Sequence, residues 1–119
     1  MLKRAPNQPE AMLAALYGGV YVKAYRVADA GTIIPQHAHT YDHISFLARG
    51  SVIVSHLDGE TGALVEETRH APAAIRIPAR VKHSFFTLSD DALILCIHNA
   101  AHGEAAEIHE EHALALEDR

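Results

Sequence analysis

The sequence predicts an all-β fold, a sandwich or barrel of short strands, with one short helix ahead of it. Three observations carry that prediction. Short runs rich in Val, Ile, Thr, Tyr and Phe recur from Val20 onward. Turn formers separate them at regular spacing: Asp29-Ala30-Gly31, Arg49-Gly50, Asp58-Gly59-Glu60-Thr61-Gly62 and Ser89-Asp90-Asp91. The run Ala92 to His98 is apolar almost throughout, as a strand covered on both faces should be.

The elements follow in order. Residues 8–17 read as a helix, with Asn7 as its cap, Glu10 completing a capping box and Pro9 in the first turn. On a helix, Met12, Leu13, Leu16 and Tyr17 would share a face, and Gly18-Gly19 would end it. Strands are then expected at 20–28, 32–34, 43–48, 51–57, 64–70, 73–77, 81–87 and 92–98. The charged 64–70 run should be exposed. Residues 100–119 read as a short strand or irregular arm with a frayed end, because Ile108, Ala113, Leu114 and Leu116 make a poor apolar stripe. The 119 residues fit one domain with its core at about 20–100.

Composition narrows the function classes. Hydrophobic residues are 49% and charged residues 21%, an ordinary globular balance. A formal charge of −5 with scattered Lys and Arg argues against a nucleic-acid surface. The single cysteine, Cys96, excludes an internal disulfide framework and fits a reducing cytoplasm. No apolar run approaches the roughly 20 residues of a membrane helix, and no apolar signal core follows Lys3 and Arg4. A soluble, cytoplasmic protein is expected, with a small molecule rather than nucleic acid or membrane as its partner.

Ten histidines are the outlying number, and their spacing singles out a few. His37 and His39 are two apart, so on an extended backbone their imidazoles point to one side. His43 follows a polar step, Thr40-Tyr41-Asp42, that can turn the chain into a second strand. Three imidazoles on two adjacent strands suit a transition-metal site. With His43 inward, Ser45 and Leu47 share its face while Ile44 and Phe46 face the other way. Asp42 competes with His43 through a one-residue register slip; otherwise it would orient a ligand imidazole. His98 would be an acid/base group if it faces a cavity, or a hydrogen-bonded core histidine if it does not. Cys96 shares its parity and reads as a small buried residue. Tyr25, Tyr41 and Arg76 are candidate cavity groups, though Tyr25 and Arg76 equally fit a solvent or dimer face and Tyr41 fits a loop. His56, His70, His102, His109 and His112 read as surface residues, and the last three could at most form a loose second metal site.

Two spacings resemble the motifs of the small single-domain cupin family. The first is Gly31, five residues, His37-Ala38-His39, three residues, His43, six residues, Gly50, with histidine where the family has glutamate. The second is Pro72, five residues, Pro78-Ala79-Arg80-Val81-Lys82-His83, three residues, Thr87. Pro78 and His83 match that motif, whereas Pro72, Arg80 and Thr87 stand where it has two glycines and an asparagine. The resemblance implies a double-stranded β-helix, the cupin jelly-roll barrel, holding one divalent transition metal through His37, His39, His43 and His83. All-nitrogen ligation suits Fe, Ni, Zn, Co or Cu. Replacing glutamate by histidine removes a negative charge and favours an anionic substrate. The implied function is a metal-dependent enzyme, dioxygenase-like or an isomerase or lyase, acting on a small anionic or enolisable metabolite. The competing expectation is a non-catalytic sensor or store of metal and small ligand. His98, Tyr41 and Asp42 are the catalytic candidates outside the ligand set. Resemblance also implies a homodimer.

Overall fold

The computed structural model describes residues 9–35 and 42–99. Among the described residues nine strands run in chain order: β1 Glu10–Tyr17, β2 Val20–Val27, β3 Ile33–Pro35, β4 His43–Arg49, β5 Ser51–Leu57, β6 Leu64–His70, β7 Ala73–Ile77, β8 His83–Thr87 and β9 Ala92–Asn99. They form a five-stranded sheet in the order β1-β2-β9-β4-β7 and a four-stranded sheet in the order β3-β8-β5-β6. Every pairing is antiparallel. The two sheets face each other as a jelly roll, a double-sheet solution to the edges of an all-β chain.

The expected helix at 8–17 is a strand. β1 pairs with β2 along its length, and the connection is Gly18-Gly19, with φ of 60° and 76°. Two left-handed residues between paired strands are a type I′ hairpin turn, whose twist matches the strands. The glycine pair therefore joins two strands and does not end a helix. A bulge between Ala11 and Leu13 shifts the register, and beyond it Leu16 faces opposite to Leu13 and Tyr17, so the stripe read as helical spans both faces of a strand. The arm at 100–119 lies outside the described residues.

Alternation places the core. On β4, His43, Ser45 and Leu47 are buried, while Ile44 is exposed and Phe46 half-buried. On β7, Ala73, Ile75 and Ile77 point in. With Val27, Ile34, Val52, Val54, Phe85, Ala92 and Ile94 they form one apolar cluster between the sheets. Each large side chain fully buried there contributes about 1.5–3 kcal/mol.

The chain changes sheets at Gly50, between β4 and β5. Its φ is 95°, and a Cβ there would sit 2.6 Å from Ser89 Oγ and 3.1 Å from Ala92 Cα. Only glycine satisfies both the conformation and the space. Nearby, Asp91 receives Arg26 Nε at 2.7 Å and lies 3.3 Å from Arg49 Nη2, which pins β2 and β4 to the turn before β9. Thr87, in the place of the motif asparagine, is buried and holds the turn leading into β3. Its Oγ1 accepts from Thr32 N–H at 3.0 Å and donates to the Asp29 carbonyl at 3.0 Å.

Candidate metal and ligand site

The hairpin fold at Gly50 puts the start of β4 and the end of β5 at the same end of the barrel. Four buried or half-buried imidazoles lie at that end as two pairs, one on each sheet. On the five-stranded sheet, Tyr21 pairs with His98 and His43 pairs with Ile77. His43 and His98 stack with ring centroids 4.6 Å apart, and Tyr21 lies on the far side of His98 at 5.5 Å. On the four-stranded sheet, His56 pairs directly with His83, with ring centroids 4.8 Å apart. His43, His83 and His98 are 6%, 4% and 3% exposed.

His83 has a defined tautomer. Its Nδ1 lies 3.1 Å from the Val81 carbonyl oxygen, which can only accept, so Nδ1 carries the proton. The neutral ring then keeps its lone pair on Nε2, the arrangement in which an imidazole can ligate. Burial pushes the His83 pKa below the ordinary histidine value; the bond to Val81 opposes that, and nearby His56 adds to it. Burial thus favours the neutral form, and the Val81 bond sets the tautomer that leaves Nε2 free to ligate.

The strand order and the histidine end can be set beside known structures. No protein-family model matches the sequence, and no curated protein matches it. Among solved structures, a cupin superfamily protein from Desulfitobacterium hafniense superposes with a TM-score of 0.64 at 15% identity, over 82% of this chain and 83% of that one. KdgF from Halomonas sp. gives 0.63 at 18% identity, over 81% and 82%. Oxalate oxidase in complex with the substrate analogue glycolate gives 0.60 at 22% identity, over 68% of this chain. This protein has the cupin fold. It spans only 42% of the oxalate oxidase chain, and at these identities the likeness is one of fold.

Within this cupin barrel a cavity of about 330 Å³ lies between the edge strands β6 and β7. Val54, Val65 and Ile75 wall it, His56 and His83 border it, and Glu67, Arg69 and Arg76 supply its charge. Arg69 Nη2 donates to the Ala74 carbonyl at 3.2 Å and so links β6 to β7, while its Nη1 stands 3.6 Å from Glu67 Oε1. Arg76 alternates outward on β7 and stands at the rim, with no ion pair among the described residues.

The turn that delivers His83 departs from the cupin motif and shows why the motif has glycine there. Arg80 occupies the glycine place and adopts φ 64°, a left-handed conformation costly for a residue with a Cβ. Asp42 Oδ1 accepts from Ala79 N–H at 2.6 Å, tying the residue before His43 to the turn before His83. One carboxylate oxygen of Asp42 is thus engaged with backbone.

The remaining candidates fall as follows. His37, His39 and Tyr41 lie outside the described residues, as do His102, His109 and His112. Among the described residues, no three His, Cys, Asp or Glu side chains group closely enough to hold a metal. His98 is packed between Tyr21 and His43. Cys96 is buried, its Sγ 3.5 Å from Ser45 Oγ. Tyr25 lies under the Lys23 ammonium at 5.2 Å. His56, read from sequence as a surface residue, borders the cavity beside His83. Its signal was parity: Val52, Val54 and His56 alternate inward along β5.

Proposed function

We propose that this cupin is a metal-dependent enzyme acting on a small anionic or enolisable metabolite, with His37, His39, His43 and His83 as the ligands of one divalent transition metal. The observation that carries the reading is His83: buried, neutral by environment, and with Nδ1 held by Val81 so that Nε2 is the donor. The buried His43 at the same barrel end fits the same nitrogen donor set, which suits Fe, Ni, Zn, Co or Cu. When bound, such a metal polarises a carbonyl and either activates O₂ or assists a proton shift. The chain's own residues supply the rest. Val81 and the Asp42–Ala79 bond hold the orientation of the ligand-bearing segments, Val54, Val65 and Ile75 limit water, and Arg76 offers a cation at the rim. The fold shared with an oxalate oxidase solved with glycolate supports a small carboxylate as substrate. Oxygen-dependent chemistry is the first choice, with isomerase or lyase chemistry after it.

A second reading, a non-catalytic binder that senses or stores metal and ligand, is favoured by two of the catalytic candidates. His98 is sandwiched between rings, and Asp42 Oδ1 is bonded to backbone. Oxygen consumption by metal-loaded protein against small keto acids, β-diketones, dicarboxylates and catechols separates the two. Turnover of one class, lost in Arg76→Leu, is expected. Saturable ligand binding without turnover of any compound would select the binder.

A further inference from the structure

The edge strand β6 turns two charges toward the inside of the barrel. Directly opposed residues on antiparallel strands share a face. The register sets Val65 against His56, Glu67 against Val54 and Arg69 against Val52. Val52 and Val54 are buried, so Val65, Glu67 and Arg69 face inward with them. Every other residue of β6 is exposed, whereas Arg69 is half-buried. The most sheltered side chain on this strand is therefore a cation. Sheltering a charge is costly unless it is paired, and Arg69 is thinly paired. A guanidinium carries five N–H donors. Among the described residues it makes one hydrogen bond, from Nη2 to the Ala74 carbonyl at 3.2 Å. Glu67 Oε1 stands 3.6 Å from Nη1, beyond hydrogen-bond length, on a side chain that is 68% exposed. Exposed pairs of this kind are weak and give way to a better-placed anion.

Between Arg69 and the histidine end the cavity walls are apolar, with Val54 and Ile75 buried in them. Ala74, which receives the guanidinium, lies three residues along β7 from Ile77, the partner of His43. At about 3.3 Å per residue, the guanidinium and the histidine end are roughly 10 Å apart. With a hydrogen bond at the cationic end, that gap takes an extended chain of about six carbons. The cavity volume of about 330 Å³ is at the lower end of the range for small-molecule sites and agrees with a ligand of that size. Glu67, level with Val54 and so midway along, disfavours a negative charge in the middle of the ligand.

We propose that Arg69 binds the carboxylate of an acyl-chain acid about six carbons long. Val54, Val65 and Ile75 enclose its methylenes, and its far end reaches toward His83. The inference rests on the reading of this cavity as the substrate site, and it narrows the substrate class. The acid carries an apolar spacer between its carboxylate and its reacting end, so two-carbon acids bind poorly. Arg76 is aligned with the outward-facing Ile44 and stays at the rim. Arg69 is therefore the specificity-determining residue. The clamp itself needs no metal, because neither Arg69 nor the apolar wall belongs to the ligand set.

NMR titration of the full chain with acetate, butyrate, hexanoate, decanoate and hexanamide, as purified and again after chelation, tests it. Hexanoate should shift the methyl resonances of Val54, Val65 and Ile75. From acetate to hexanoate, each added methylene should tighten binding about three- to fourfold, with no further gain at decanoate. Hexanoate should bind roughly tenfold more tightly than hexanamide. Arg69→Gln, which keeps a donor for the Ala74 carbonyl, should erase that preference while hexanamide still binds. Arg69→Lys should keep part of it, and Glu67→Gln should strengthen it. Chelation should change none of these results, so the clamp is measured even in a chain that holds no metal. A preference for hexanoate that survives Arg69→Gln, or an affinity independent of chain length, would overturn the proposal whatever the metal content.

Discussion

At the Gly50 end of the barrel the inward side chains are Leu47, Val52, Ala73 and Ala92; at the opposite end they are His43, His98, His56 and His83. The same strands contribute to both, since β4 carries Leu47 and His43, and β5 carries Val52 and His56. The apolar end gains free energy from burial without needing partners. The histidine end buries polar rings, which is tolerable only where stacking and hydrogen bonds such as His83 to Val81 offset desolvation. One end therefore holds the fold together, and the other is free to carry chemistry.

Equal truncations at the two ends should have unequal effects on stability. Leu47→Ala, at a fully buried position in the apolar cluster, is expected to cost about 2–5 kcal/mol in denaturant unfolding. Gly50→Ala should cost about 1–3 kcal/mol through its left-handed φ, with the close approach to Ala92 adding to it. By contrast, His83→Ala should leave the metal-free protein folded, with a smaller loss than Leu47→Ala. A loss as large as that of Leu47→Ala would mean that the histidine end is part of the core.

The pH dependence sharpens the same contrast. Burial holds the His83 pKa below 6.5, so between that lowered value and 6.5 the unfolded chain binds the proton first. The associated stability is complete above about pH 6.5 and declines as pH falls below it. A pH series of unfolding midpoints on metal-free protein should flatten between pH 7 and 5 in His83→Ala relative to wild type. The smallest effect is expected at Arg80→Gly, which removes the left-handed strain but frees the unfolded chain, for a net gain of up to about 1 kcal/mol in thermal unfolding.

Most of the fold was legible because strands declare themselves by alternation and turns by glycine. Gly31 and Gly50, the motif spacers, both take positive φ, so their spacing recorded a backbone requirement. The second motif was harder to read because Arg80 adopts the glycine conformation without being glycine. Gly18-Gly19 was misread because a helix stop and a type I′ turn look alike in sequence, and β1 carries apolar residues on both of its faces. At the site, His43 was singled out by spacing and His83 by its place in the second motif. His56 was missed because it belongs to no motif, and only its strand parity revealed its side. Asp42 could not be assigned from sequence, since its partner is a backbone N–H in a turn far along the chain.

The central claim is that the histidine end holds a metal, and elemental analysis of protein purified without a histidine tag tests it most directly. The expected result is close to one equivalent of a single transition metal per chain in the wild type and in Leu47→Ala protein that remains folded, with a large loss of occupancy in His43→Ala and in His83→Ala. Occupancy well below one equivalent in the wild type, or full occupancy retained in both histidine variants, would contradict it.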